Sequence, residues 1–273
     1  MSRVLGSTES SEADGGSAPG KAAGAGGPAE AGGADARAHH AGVRALLGLG
    51  LAVPGLLITF EGGEGSGKTT QLTGLLSHLR ATGRVAIETR DPGGTPIGKR
   101  TRALLLDPGS AGMAPIAELL LYEASRAQVV HEVIRPALVR GDLVLCDRFT
   151  DSTVAYQGYG RGLDLDLIGH LNTLATEGLR PNLTIRLDLD PTVGLARAAQ
   201  RVAQQRSRHD RIEEELLAFH QRVRAGYRAV AAAEPERVMV LDGSGGVAEI
   251  EGDIRRRVDE LLRSSPGPAG SDP

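Results

Sequence analysis

The 273-residue sequence predicts an α/β fold, a five-stranded parallel sheet flanked by helices. Two observations carry that expectation. Most of five short strand-like runs are too continuously apolar for a sheet with one wetted face, and segments of helical periodicity separate the five, so the strands are joined by crossovers. The first run also passes through a glycine-rich loop straight into a helical pattern, which fixes the strand–loop–helix order at the start of the sheet.

The elements follow in order. "LLITF" at 56–60 is the first strand. Leu72, Leu75, Leu76 and Leu79 fall at i, i+3, i+4 and i+7, the stripe of an amphipathic helix, and Gly83 is placed to end it. "VAIET" at 85–89 is the second strand. Thr95 followed by Pro96 reads as an N-cap and first helical residue for a helix running to Leu106. "LVLCD" at 143–147 is the third strand. Asp164 can cap a helix whose expected buried face is Leu167, Ile168, Leu171 and Leu174. "LTIRLDL" at 183–189 and "VMVLD" at 238–242 complete the sheet, with Asp190-Pro191 opening a helix between them.

This organisation sets the boundaries. Residues 1–54 form an Ala/Gly-rich extension without apolar periodicity, expected to be disordered because it cannot bury enough surface to offset chain entropy. Residues 55–263 form the folded domain, and 264–273 a flexible tail. Val43 to Phe60 is about long enough to cross a bilayer, but Arg44, Pro54 and several glycines interrupt it, and no membrane association is expected. With 31 Lys+Arg against 34 Asp+Glu, the net charge is −3, which argues against a nucleic-acid binder that relies on bulk positive charge. A single cysteine, Cys146, excludes an intrachain disulfide and fits a reducing, cytoplasmic setting. It is read as packing on the far face of its strand.

"GGEGSGKT" at 62–69 has the spacing of a loop that cradles phosphate. Gly62, Gly65 and Gly67 let the backbone turn its N–H groups inward. Gly63, Glu64 and Ser66 complete the loop, and the helix that follows aims its positive end at the same anion. Lys68 offers a point charge to the terminal phosphates, the Thr69 hydroxyl can ligate Mg²⁺, and Asp147, at the end of an apolar strand, can hold that ion through water. The reading is a nucleoside triphosphate site. A GTPase is excluded, because Asn172 and Asn182 are followed by Thr and Leu, not by the Lys of a guanine-reading sequence. Arginines cluster after strand ends, and arginine suits bidentate phosphate contact, so a kinase with two phosphate-bearing substrates follows.

The ordered motifs "FEGGEGSGKTTQ", "TRDPGGTPIGKRTRALLLD", "ELLLYEASRAQ", "DRFTDSTVAYQGYGRGLD", "LDLDPTVGLARA" and "DRIE" resemble the bacterial thymidylate kinases, a family of phosphate-loop kinases with a lid segment. The resemblance spans about Gly55 to Leu262. It implies ATP and dTMP as substrates, dTDP as product, Mg²⁺ as cofactor, direct in-line transfer and a homodimer. Residue by residue, it implies that Glu64 accepts from the deoxyribose 3′-hydroxyl and that Arg148 and Arg102 clamp the dTMP phosphate. Tyr122 would stack on thymine and Arg126 donate to a thymine carbonyl. Ser152, Thr153, Tyr156 and Gln157 would contact base and sugar, with Tyr156 the wall against a ribose. Arg197 would contact ATP. Because the loop at 63–66 is non-basic, the catalytic arginine would come from the lid, with Arg201 and Arg206 favoured and Arg208 open. Asp91, where the family commonly has Glu, and Lys99 would be surface residues or sit one layer behind the site.

Overall fold

The structure, a computed structural model, describes residues 55–205 and 209–264. The expectations for residues 1–54, Arg206, Arg208 and 265–273 lie outside the described residues.

Strand β1 (Leu56–Glu61) leads through the glycine loop into helix α1 (Lys68–Ala81). Thr82 caps that helix and Gly83 follows at φ 77°, a left-handed conformation that glycine adopts without penalty. β2 (Ala86–Arg90) lies one residue beyond its expected place. α2 (Pro96–Leu106) starts as anticipated, with the Thr95 hydroxyl accepting from the Gly98 N–H at 2.9 Å. α3 (Pro115–Val129) continues through a π-helical turn, Val130–Ile134, into α4 (Arg135–Val139). After β3 (Leu143–Asp147) comes a short α5 (Thr150–Thr153), which runs on as a π-helical segment, Val154–Gly160. α6 (Leu165–Thr176), β4 (Leu183–Asp188), α7 (Pro191–Gln205), α8 (Leu217–Ala233), β5 (Val238–Asp242) and α9 (Val247–Ser264) complete the fold. α8 and α9 have no counterpart in the sequence reading, and α9 includes Ser264, the first residue of the expected tail.

The sheet order is β2-β3-β1-β4-β5, and every pairing is parallel. Period-2 alternation splits the apolar side chains of each strand between two layers. Ile58, Phe60, Leu145 and Ile185 pack on one face against Leu72, Leu75 and Leu79 of α1 and Ile250, Ile254 and Val258 of α9. Leu57, Val144 and Cys146 point to the other, against Val129, Val130, Ile134 and Leu138. Each such side chain contributes about 1.5–3 kcal/mol relative to leaving it in water. A third cluster, Tyr156, Ile212, Phe219, Val223 and Tyr227, lies beside the sheet and fastens α8 to the π-helical segment. β1 and β3 are central and end together, with Phe60 opposite Asp147, so the phosphate loop and the Asp147–Arg148 turn leave the sheet at one point.

One expected face is wrong. In α6, Leu167 and Leu174 are 40% and 61% exposed, and Leu171 is half-buried. Ile168, Asn172, Ala175 and Thr176 are the residues turned inward. α6 packs on α3, and the buried Arg126 of that helix requires a polar partner, which Asn172 supplies at 2.6 Å.

Candidate functional site

The loop closes around its own glycines. Gly62, Gly65 and Gly67 have φ of 141°, 63° and 96°. A Cβ at Gly65 would stand 2.2 Å from the Gly194 carbonyl oxygen, and one at Gly194 would stand 2.3 Å from that of Glu64. Loop and first turn of α7 are therefore in backbone contact. Lys68 lies folded over the loop, donating to the carbonyls of Gly62 at 3.0 Å and Gly63 at 2.7 Å. Burial, with Arg148 adding to it, pulls its ammonium down to about 8, so a bound phosphate would restore what the protein alone withholds. Thr69 is exposed on the first turn of α1. Asp147 is 3.6 Å from Arg90, and its Oδ1 is buried without a partner.

Beside the loop lies a cavity of about 490 Å³ lined by Glu64, Arg102, Tyr122, Arg126, Arg148, Ser152, Thr153, Tyr156 and Gln157. Every residue expected on the acceptor side is there. Elements far apart in sequence deliver them: the loop, α2, α3, the turn after β3, α5 and the π-helical segment. Arg148 is the pivot. Its backbone is left-handed, φ 68°, which is unusual for a side chain of this kind and is held by its N–H to Phe60 O at 3.0 Å. Its guanidinium donates to Gly62 O at 3.0 Å, Tyr227 Oη at 3.1 Å and Glu64 Oε1 at 2.8 Å, and lies 5.0 Å from the centre of the Tyr156 ring. Tyr156 also donates to Glu64 Oε1, at 2.8 Å. Burial alone would raise the Glu64 carboxyl, but Arg148 and Lys68 hold it down at about 2. Burial, and then Arg90 and Arg148, lowers the Arg102 guanidinium. A cluster of cations so close together favours an anion.

Arg126 is 1% exposed, and its five N–H donors are matched by Asp91, Glu123, Asn172, Phe149 O and Thr153. A base carbonyl reaching its Nη2 edge would compete first with Phe149 O, the longest of these contacts at 3.3 Å. Asp91 is accordingly not a surface residue: it is 2% exposed and pairs with Arg126 at 2.6 Å, because the shorter carboxylate still reaches the buried guanidinium. Lys99 is exposed, as expected. Cys146 is fully buried, its thiol pushed well up by that burial.

Among the described residues of the lid, neither Arg197 nor Arg201 lines this cavity. Arg201 is 48% exposed and pairs with Glu213 at 2.6 Å. Arg197 donates to Gly243 O at 3.1 Å, and its Cβ lies against the loop at Gly65. Arg161 and Arg211 meet the buried carboxylate of Glu118.

Several functional neighbours escaped the sequence reading. Asp210 and Ile212, within the quoted "DRIE" motif, line the acceptor cavity. Glu61 ends β1 with no exposed surface and accepts from Phe149 N at 2.7 Å, Ser152 Oγ at 2.6 Å and Tyr227 Oη at 2.9 Å. A second recess of about 380 Å³ opens across the loop, where Gly62, Gly63 and Glu64 face Asp188, His220 and Arg224. Glu64 lines both hollows.

Comparison with known proteins gives a consistent picture. Residues 60–254 match the family model described as Thymidylate kinase. The thymidylate kinase of Geobacter sp. (strain M21) is 55% identical over 212 residues, covering 76% of this chain and 94% of that protein. That of Deinococcus radiodurans is 52% identical over 206 residues, covering 76% and 97%. Among solved structures, the crystal structure of thymidylate kinase from Ehrlichia chaffeensis aligns with a TM-score of 0.60 at 32% identity, covering 75% of this chain and 98% of that one.

Proposed function

The chain belongs to the thymidylate kinase family, and from that premise we propose that it transfers the γ-phosphoryl group of ATP to dTMP, giving dTDP. The observation that carries this reading is the single cavity in which the acceptor-side residues meet, joined to the phosphate loop through Glu64.

Transfer is in line and direct, with no covalent intermediate. Such a reaction asks mainly for positioning and charge stabilisation, since the acceptor phosphate oxygen is already ionised. The loop N–H groups and Lys68 hold the donor phosphates, and Arg197 lies against the same loop to meet ATP. Arg148 and Arg102 clamp the acceptor phosphate. Tyr122 stacks on the base beside Arg126, Thr153 and Gln157, while Glu64 receives the 3′-hydroxyl and Tyr156 crowds the sugar. A lid arginine, Arg201 or Arg206, completes the charge stabilisation; Arg201 must first leave Glu213.

Mg²⁺ fits the residues present. Among the described residues no group of three or more His, Cys, Asp or Glu converges on a metal site, which suits an ion held mostly by phosphates and water. The orphaned Asp147 Oδ1 supplies an acceptor for a bound water, and Thr69 a hydroxyl ligand. When bound, the ion would neutralise negative charge on the donor phosphates.

The catalytic domain is residues 55–263. No described helix is long and apolar enough to cross a membrane, and we place the enzyme in the cytoplasm, supplying dTTP synthesis. It acts as a homodimer. Ile97 and Leu104 of α2, Leu120 of α3, and Leu167 and Leu174 of α6 are each at least 40% exposed on helices that pack side by side, an apolar surface suited to a second copy.

The test is ADP release against dTMP, dUMP, CMP, AMP and GMP. dTMP should be the preferred acceptor, and a preference for a purine monophosphate would overturn the assignment.

A further inference from the structure

Glu118 of α3 stands outside the machinery described so far, yet it is among the most heavily engaged carboxylates in the fold. It is 1% exposed. Its Oε1 accepts from Gln157 Nε2 at 2.8 Å and from Arg161 Nε at 3.1 Å. Its Oε2 accepts from Arg161 Nη2 at 3.0 Å and meets Arg211 Nη2 at 2.6 Å. Both arginines are anchored elsewhere: Arg211 donates to Leu105 O at 2.8 Å, and Arg161 lies 4.6 Å from the centre of the Phe219 ring. Burial opposes the charge on Glu118, but these donors outweigh it and hold the carboxyl below its usual range.

An ionised carboxylate accepts hydrogen bonds and cannot donate them. The amide of Gln157 must therefore turn its NH₂ group toward Glu118. Gln157 is 1% exposed and lines the acceptor cavity, so its carbonyl oxygen is the polar atom left for whatever fills that space. An acceptor at that point suits a base with a ring N–H, as thymine and uracil have, and not cytosine, whose ring nitrogen at the same place is itself an acceptor.

We propose that Glu118 is a positioning residue for base selection: by fixing which way the Gln157 amide faces, it sets the acceptor cavity to favour an N–H-bearing pyrimidine over a cytosine-type base. The inference rests on the dTMP kinase reading and deepens it. Glu118 touches no substrate. It acts through Gln157, and the two arginines serve to keep it charged.

Steady-state kinetics with dTMP, dCMP and ATP on the full chain, Glu118→Gln, Gln157→Ala and the double variant test it. A glutamine at 118 can donate as well as accept, which frees the Gln157 amide to turn over. Each single variant should raise the dTMP KM by about tenfold or more. Each should also narrow the preference for dTMP over dCMP and leave the ATP KM within about twofold. The double variant should match Gln157→Ala, because the two residues act as one unit. Multiplying effects in the double variant, or an equal rise in the ATP KM, would overturn the proposal. So would an unchanged dTMP:dCMP preference in Gln157→Ala, a result that can be read even if Glu118→Gln does not fold. An unsubstituted chain inactive on dTMP would remove the functional reading itself, and the inference with it.

Discussion

At the scale of single residues, Glu61 carries the clearest consequence. With no exposed surface, its carboxyl is pushed up to about 7 by burial, and Asp151 adds to the shift. A group whose folded value lies above its unfolded one favours the fold when protonated. Its contribution is whole below the ordinary glutamate value and is lost as pH rises through about 7. Glu61→Gln stays neutral throughout, so it should flatten the fall in Tm between pH 4.5 and 7. Parallel melting curves for the two proteins would show that Glu61 titrates normally. Glu64 has the opposite sign: held at about 2, it stabilises above the ordinary range and loses that contribution as pH falls toward 2, so the acid limb should persist in the variant. The same pair shows what the sequence could disclose. Glu64 lies inside a motif whose spacing marks a phosphate loop, and its acceptor-side role was expected through the family resemblance. Glu61, Glu118 and Asp210 have roles only because distant segments converge on them, and no local spacing records that.

At the scale of elements, backbone geometry decides what each segment tolerates. Helix α8 lies so close to the π-helical segment that a Cβ at Gly226 would stand 2.9 Å from Ala155 Cα and from Tyr159 Cβ. Gly226→Ala should therefore destabilise by about 1–3 kcal/mol through overpacking. Gly252 in α9 has nothing within 4 Å, and Gly252→Ala should stabilise by about 0.5–1 kcal/mol. Urea midpoints of the two variants should move in opposite directions; a shared direction would contradict the packing. Strands were legible to within a residue, because continuous apolar runs bounded by Gly, Pro or charge have few alternatives. The face of α6 was not. Its leucines satisfy a core pattern, but a buried arginine on the neighbouring helix claimed Asn172 instead.

At the scale of the whole molecule, the exposed apolar face on α2, α3 and α6 predicts self-association. Sedimentation equilibrium should give twice the 28.4 kDa chain mass. Leu120→Glu or Leu174→Glu, at positions 51% and 61% exposed, should shift the protein to monomer with little loss of fold stability. A wild-type monomer, or charged variants that still dimerise, would show that this face is simply solvated. Assembly was anticipated only through the family resemblance. Hydrophobic periodicity tells that a helix has an apolar stripe, not whether a neighbouring helix or another copy covers it.

The burial of Cys146 has a practical corollary. It is the chain's one cysteine, enclosed in the core with a thiol that resists ionisation, so maleimide and iodoacetamide reagents have no ready target in the native protein. A dye attached through a cysteine introduced at Val193, 44% exposed on the turn that abuts the phosphate loop, would be the sole label and would sit where the arrival of nucleotide is felt.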